Sequence, residues 1–111
     1  MRKLVLYIAC SLNGKIARKD GSVDWLENLP NPDQNDYGYA EFLESVETTV
    51  MGNKTYRQLI GWDIEFPYKN KTNYVLTRDI NKSDDQYAKF ISDDPVSFMN
   101  ALKSEEGKDI W

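Results

Sequence analysis

The chain has 111 residues, 41% of them apolar and 13% aromatic, with a formal net charge of −4 at pH 7 and a sequence pI of about 4.8. That is one domain with enough apolar content for a core, and it is too acidic for a general nucleic-acid binder. With no histidine and a single cysteine, Cys10, the chain excludes intrachain His/Cys zinc sites, disulfide scaffolds and hydrolases that need a histidine base. Proton chemistry is left to carboxylates, Lys, Tyr or water, in a reduced, cytoplasmic setting. Cys10 is expected to be a small packing residue.

Leu4 to Cys10 is a continuous apolar run and predicts a central strand buried on both faces. It is too short for a secretory core or a membrane span. Ser11 to Leu26 is loop-rich, with turn signals at Asn13-Gly14 and Asp20-Gly21. A second loop, Asn28 to Asp36, precedes a helix over Tyr37–Val46, with Tyr39, Phe42, Leu43 and Val46 on one face and Asp36 as cap. Thr48–Met51 predicts a strand and Lys54–Ile60 a helix, ended by Gly61. Residues 62–71 read as a loop. Thr72–Thr77 and Ala88–Ser92 read as strands separated by a charged turn region, Arg78–Asp85. Asp94-Pro95 opens a last helix, running to about Glu105 and ended by Gly107; Asp109-Ile110-Trp111 begins a strand.

This alternation predicts an α/β fold with a largely parallel sheet. Right-handed crossovers then gather the loops Cys10–Trp25, Gly52–Thr55 and Arg78–Asp85 along one sheet edge, where such folds bind ligands. The junction at Gly52-Asn53-Lys54-Thr55 delivers a strand to a helix N-terminus. Free N–H groups, the helix dipole and the Lys54 charge suit a phosphate there, most plausibly that of a nucleotide cofactor. Many such junctions bind nothing, and that alternative stands beside it.

Three stretches together carry a resemblance: Tyr7 to Ala17 (YIACSLNGKIA), Val50 to Tyr56 (VMGNKTY) and Tyr74 to Arg78 (YVLTR). In order and spacing they resemble the dihydrofolate-reductase-like family, and the reductase domain of bacterial riboflavin biosynthesis proteins more closely. The resemblance covers most of the chain. It implies a three-layer fold and an NADPH-dependent reductase acting on a pterin-like or ribosyl-pyrimidine-like heterocycle. It places Gly52, Asn53, Lys54 and Thr55 on cofactor phosphates, and Thr77 and Arg78 on the adenosine 2′-phosphate. Ile16 and Ala17 would cover the nicotinamide, with Trp25 either closing that loop or packing in the core. Lys15 is either on the substrate side or a solvated loop lysine. Asp36 is either the acidic catalytic residue, a helix cap, or both.

The sequence departs from the family at three places. Asn53 stands where arginine is usual and Asn13 where the riboflavin branch has Asp. The family also continues past a segment like Asp109–Trp111 into a Gly-Gly turn and several further strands. The resemblance therefore implies a domain lacking its C-terminal strands. Such a sheet would expose an unpaired edge, so a homo-oligomer is expected, with a small-molecule substrate and neither nucleic acid nor membrane as partner. The alternatives are a truncated, non-catalytic relative that at most binds nucleotide or phosphate, and a piece of a longer reading frame.

Overall fold

The computed structural model describes residues 1–62 and 64–111. Asp63, inside the loop predicted over 62–71, lies outside the described residues. The element order is α1 (Asp24–Glu27), α2 (Tyr39–Ser45), β1 (Val46–Gly52), α3 (Asn53–Gly61), β2 (Thr72–Leu76), β3 (Ala88–Ile91), α4 (Pro95–Ser104) and β4 (Asp109–Ile110). The four strands form one all-parallel sheet in the order β3-β2-β1-β4. The expected parallel α/β architecture is present, with α1 added in a stretch read as loop.

Side-chain alternation separates the two faces. Val75 packs with Tyr56 and Leu59 of α3 and with Phe66 and Ala88. Its neighbour Tyr74 points the other way and meets Phe98 of α4, ring centroids 5.1 Å apart. Helices α3 and α4 therefore cover opposite faces, giving three layers. On the α3 side a chain of rings crosses the sheet, from Phe90 through Tyr56, Phe66, Tyr68 and Trp111 to Phe42 and Tyr7. Edge-on contacts dominate it, as aromatic quadrupoles favour.

Two polar side chains, the buried Asn73 and the half-buried Lys71, tie strands to neighbouring segments. Asn73 is 2% exposed; its Nδ2 donates to Tyr68 O, Lys71 O and Tyr87 O at 2.9–3.1 Å, and its Oδ1 accepts from Thr49 Oγ1 at 2.6 Å. Lys71 Nζ donates to Leu43 O and Val46 O, placing a cation at the C-terminal end of α2 where the helix dipole favours it.

The N-terminal apolar run is not a central strand. Lys3 to Val5 pair with β4 through Ile110 N to Lys3 O and Val5 N to Ile110 O, with one bridge, Leu4 to Ile110. The segment is the sheet edge. Val5 and Tyr7 turn toward α2 and are half-buried, whereas Leu4, Leu6 and Ile8 face the α4 side and are 52%, 82% and 53% exposed. Centrality belongs instead to β1, whose Val46, Thr48 and Thr49 are buried. Cys10, expected in the packing, is exposed. The edge is anchored at its start by Arg2, whose Nε donates to Lys108 O and whose Nη2 donates to Thr48 Oγ1. Gly107 passes beside this anchor at φ +143, and a Cβ there would collide with the Glu47 carboxylate.

Candidate functional site

The register of the sheet builds the site. Gly52 pairs with Leu76, and Leu76 pairs with Ile91, so the last residues of three parallel strands form one row. Everything that follows each of them leaves the sheet on the same edge: Asn53–Thr55 as the first turn of α3, Thr77-Arg78 after β2, and Ser92–Asp94 after β3. Parallel pairing makes this inevitable, since all strands end on one side.

A cleft of about 510 Å³ opens there, lined by Leu76, Thr77, Arg78, Ile91, Ser92, Asp93, Asp94 and Pro95. Thr77 is fixed in it: its N–H donates to Ile91 O and its Oγ1 accepts from Asp79 N. The loop beyond Arg78 is tied under α3 by Tyr56 OH donating to Asp85 Oδ2 at 2.6 Å. Burial of Tyr56, and then this bond, push the phenol pKa well up. Asp85 also accepts from Tyr87 N and Ala88 N; these bonds and that from Tyr56 hold its carboxyl low against the opposing effect of burial. Among the described residues the ion pairs are Arg2–Glu47, Arg18–Asp24 and Lys69–Glu65, so Arg78 has no carboxylate partner within 4.0 Å.

One row over, α3 begins without a side-chain cap. Asn53 Oδ1 is buried there with no hydrogen-bond partner among the described residues, and a buried acceptor left unmade is costly unless something outside the chain supplies a donor. A glycine at this corner is not required by the backbone. The Gly52 φ of −75° and ψ of 159° suit any residue, so no backbone permissiveness is used at this corner. A Cβ at Gly52 would meet nothing within 4 Å. The space in front of the strand end is open. Lys54 and Thr55 are exposed on the first turn.

A second cleft of about 230 Å³ is lined by Ser11, Lys15, Ala17, Arg18 and Trp25. Two tight turns shape it. Ser11 to Lys15 closes through Ser11 N to Lys15 O, and Arg18 to Ser22 through Arg18 N to Ser22 O, with Gly14 and Gly21 at φ +79 and +85 as the turn signals require. Gln58 Nε2 donates to Gly21 O and ties this loop to α3. Ile16 stands between the turns, 54% exposed.

Asp36 lines neither cleft. Its oxygens accept from Ala40 N and Gly38 N, which hold its fully exposed carboxyl below the usual carboxylate range. Two residues before the N-cap Gly38, it holds the first turn of α2 through Ala40 N, close to the capping role expected for it. The structure thus brings Thr77 and Arg78 into one cleft, Lys15 and Ala17 into another, and sets Gly52–Thr55 between β2 and the edge. Ile91, Ser92 and Asp93 carried no motif, and only the register of β3 reveals that they share the Arg78 cleft.

No family model matches the chain. Among solved structures it resembles "Putative riboflavin biosynthesis protein" from Shewanella sp. PV-4, with a TM-score of 0.79 and 29% identity over 99% of this chain and 63% of that one. The fold is dihydrofolate-reductase-like. Two proteins of Bacillus subtilis (strain 168) are similar in sequence. "Uncharacterized protein YwjB" is 41% identical over 110 residues, and "Uncharacterized protein YyaP" 32% identical over 124 residues. Each alignment takes in 99% of this chain, but only 62% and 61% of the relative. The chain therefore spans just under two thirds of the length of the proteins it matches. In this dihydrofolate-reductase-like fold both clefts lie beside strand ends and turns, and no helix among the described residues is long and apolar enough to cross a membrane.

Proposed function

We propose that the chain is an NADPH-dependent reductase transferring a hydride to a small pterin-like or ribosyl-pyrimidine-like heterocycle. The observation that carries this reading is the row Gly52–Leu76–Ile91, which sets an uncapped helix N-terminus, open space and an unpaired arginine side by side. The donor set fits a dinucleotide. Main-chain N–H groups of α3 and the Lys54 ammonium suit phosphate, and Thr77 with Arg78 suits the adenosine 2′-phosphate. The orphaned Asn53 Oδ1 suits a ribose hydroxyl, or the amide turned over offers Nδ2 to a phosphate oxygen. When bound, NADPH supplies the hydride. The chain's residues orient it, with Ile16 and Ala17 toward the nicotinamide and Lys15 on the substrate side of the smaller cleft. Asp36 lines neither cleft, so water is the proton source in this reading, with Asp36 holding α2 in place. The name of the Shewanella neighbour supports a heterocyclic substrate of the riboflavin kind.

Titration with NADPH and NADH, followed by nicotinamide fluorescence, tests this. The protein is expected to bind NADPH more tightly. Arg78→Ala should weaken NADPH by roughly 10- to 100-fold, the range for lost charge-assisted hydrogen bonds, with little change for NADH. Equal losses for both dinucleotides would refute the 2′-phosphate role.

A second reading, a non-catalytic relative that self-associates, is favoured by the bare strip of Leu4, Leu6 and Ile8 along an edge that carries no proline and, beyond Arg2-Lys3, no charge. Sedimentation velocity is expected to show an oligomer at micromolar concentration, and a stable monomer would remove this reading's support.

A further inference from the structure

The 510 Å³ cleft holds a second recognition element that the phosphate contacts leave unused. Its apolar walls are Leu76, Ile91 and Pro95. Of its polar side chains, Asp94 is spent, since Oδ2 accepts both Ser97 N and Ser97 Oγ as the cap of α4. Thr77 Oγ1 accepts from Asp79 N and keeps only its O–H to donate, which the 2′-phosphate would take. Asp93 is different: it lines the cleft, and among the described residues its carboxylate has no ion pair within 4.0 Å and no hydrogen bond. Among the described residues the cleft thus presents one free carboxylate, Asp93, one free cation, Arg78, and the unpartnered Ser92 hydroxyl beside them. Strand order sets their direction. Asp93 follows β3, Arg78 follows β2, and the α3 N-terminus follows β1, so the polarity runs from acceptor to anion site across the sheet.

Resting on the NADPH reading above, we propose that Asp93 selects the base, accepting a hydrogen bond from the exocyclic amine of adenine. A phosphate is repelled from the Asp93 end and drawn to Arg78 and α3, so the nucleoside can lie only with its base over β3. Adenine offers a donor at its amine position. Hypoxanthine and guanine offer a carbonyl oxygen there, which the exposed Asp93 carboxylate repels where it would accept from adenine.

Fluorescence titration of the full chain with NADPH and with its deamino counterpart, in which hypoxanthine replaces adenine, tests the assignment. The wild-type protein should prefer NADPH by about tenfold. In Asp93→Asn the carboxamide can donate to the hypoxanthine carbonyl, so the preference should fall to near parity while the melting temperature stays unchanged. Equal binding of the two dinucleotides by wild type overturns the proposal, and so does an undiminished preference in Asp93→Asn. Absence of NADPH binding to wild type overturns the cofactor reading itself, and this assignment with it.

Discussion

Asn73→Leu is expected to cost about 3–5 kcal/mol of stability, a large part of the ~5–15 kcal/mol typical of a domain. Leucine has similar bulk but leaves the Tyr68, Lys71 and Tyr87 carbonyls and the Thr49 hydroxyl without their shared partner. Each buried polar group so orphaned costs about 1–3 kcal/mol. Asn73 is the joint between the aromatic loop carrying Phe66 and Tyr68, the start of β3 and the central strand, so its loss loosens all three together. Urea unfolding followed by tryptophan fluorescence measures the change. A loss under about 1 kcal/mol would show that water replaces the amide and that the network is not what holds these loops.

Gly52→Ala is expected to separate binding from stability. The backbone at Gly52 is ordinary extended chain, and an added methyl meets nothing. Alanine in a compatible conformation should leave the protein unchanged or more stable by about 0.4–1 kcal/mol, through the lost entropy of the unfolded chain. NADPH affinity should nevertheless fall by roughly tenfold or more, because the methyl occupies the space through which a phosphate reaches the α3 N–H groups. Paired thermal melts and fluorescence titrations give both numbers. An alanine variant that binds NADPH as wild type does would mean that nothing approaches this backbone closely.

Much of the fold is legible in residue order. Asp94-Pro95 announces α4, and the structure has Asp94 Oδ2 accepting Ser97 N with proline in the first turn. The β-branched runs of β1 and β2 and the apolar spacing of α3 fall within a residue or two of their observed limits, because caps and periodicity act over a few residues. The first strand failed for the opposite reason. Leu4 to Cys10 is apolar enough for either a core or an edge, and what lies beside it is decided by strand order, which no local pattern contains.

The candidate site divides along the same line. Local chemistry pointed to Gly52–Thr55 and to the charged turn after β2, since helix starts and charged residues are short-range signals, and the family resemblance picked out Thr77 and Arg78 there. Asp36 carried two roles in the sequence, and the hydrogen bonds from Gly38 and Ala40 show it holding the first turn of α2. Asn73 gave no signal at all, since a buried asparagine inside a strand is recognisable only from the three carbonyls that surround it. Asp93 likewise became part of the site only through the pairing of Leu76 with Ile91. The sequence alone therefore determined the strand and helix types and the charged turns. The tertiary structure alone decided which strand is central, which polar groups are buried together and which loops share a cleft, because those depend on register between segments far apart in the chain.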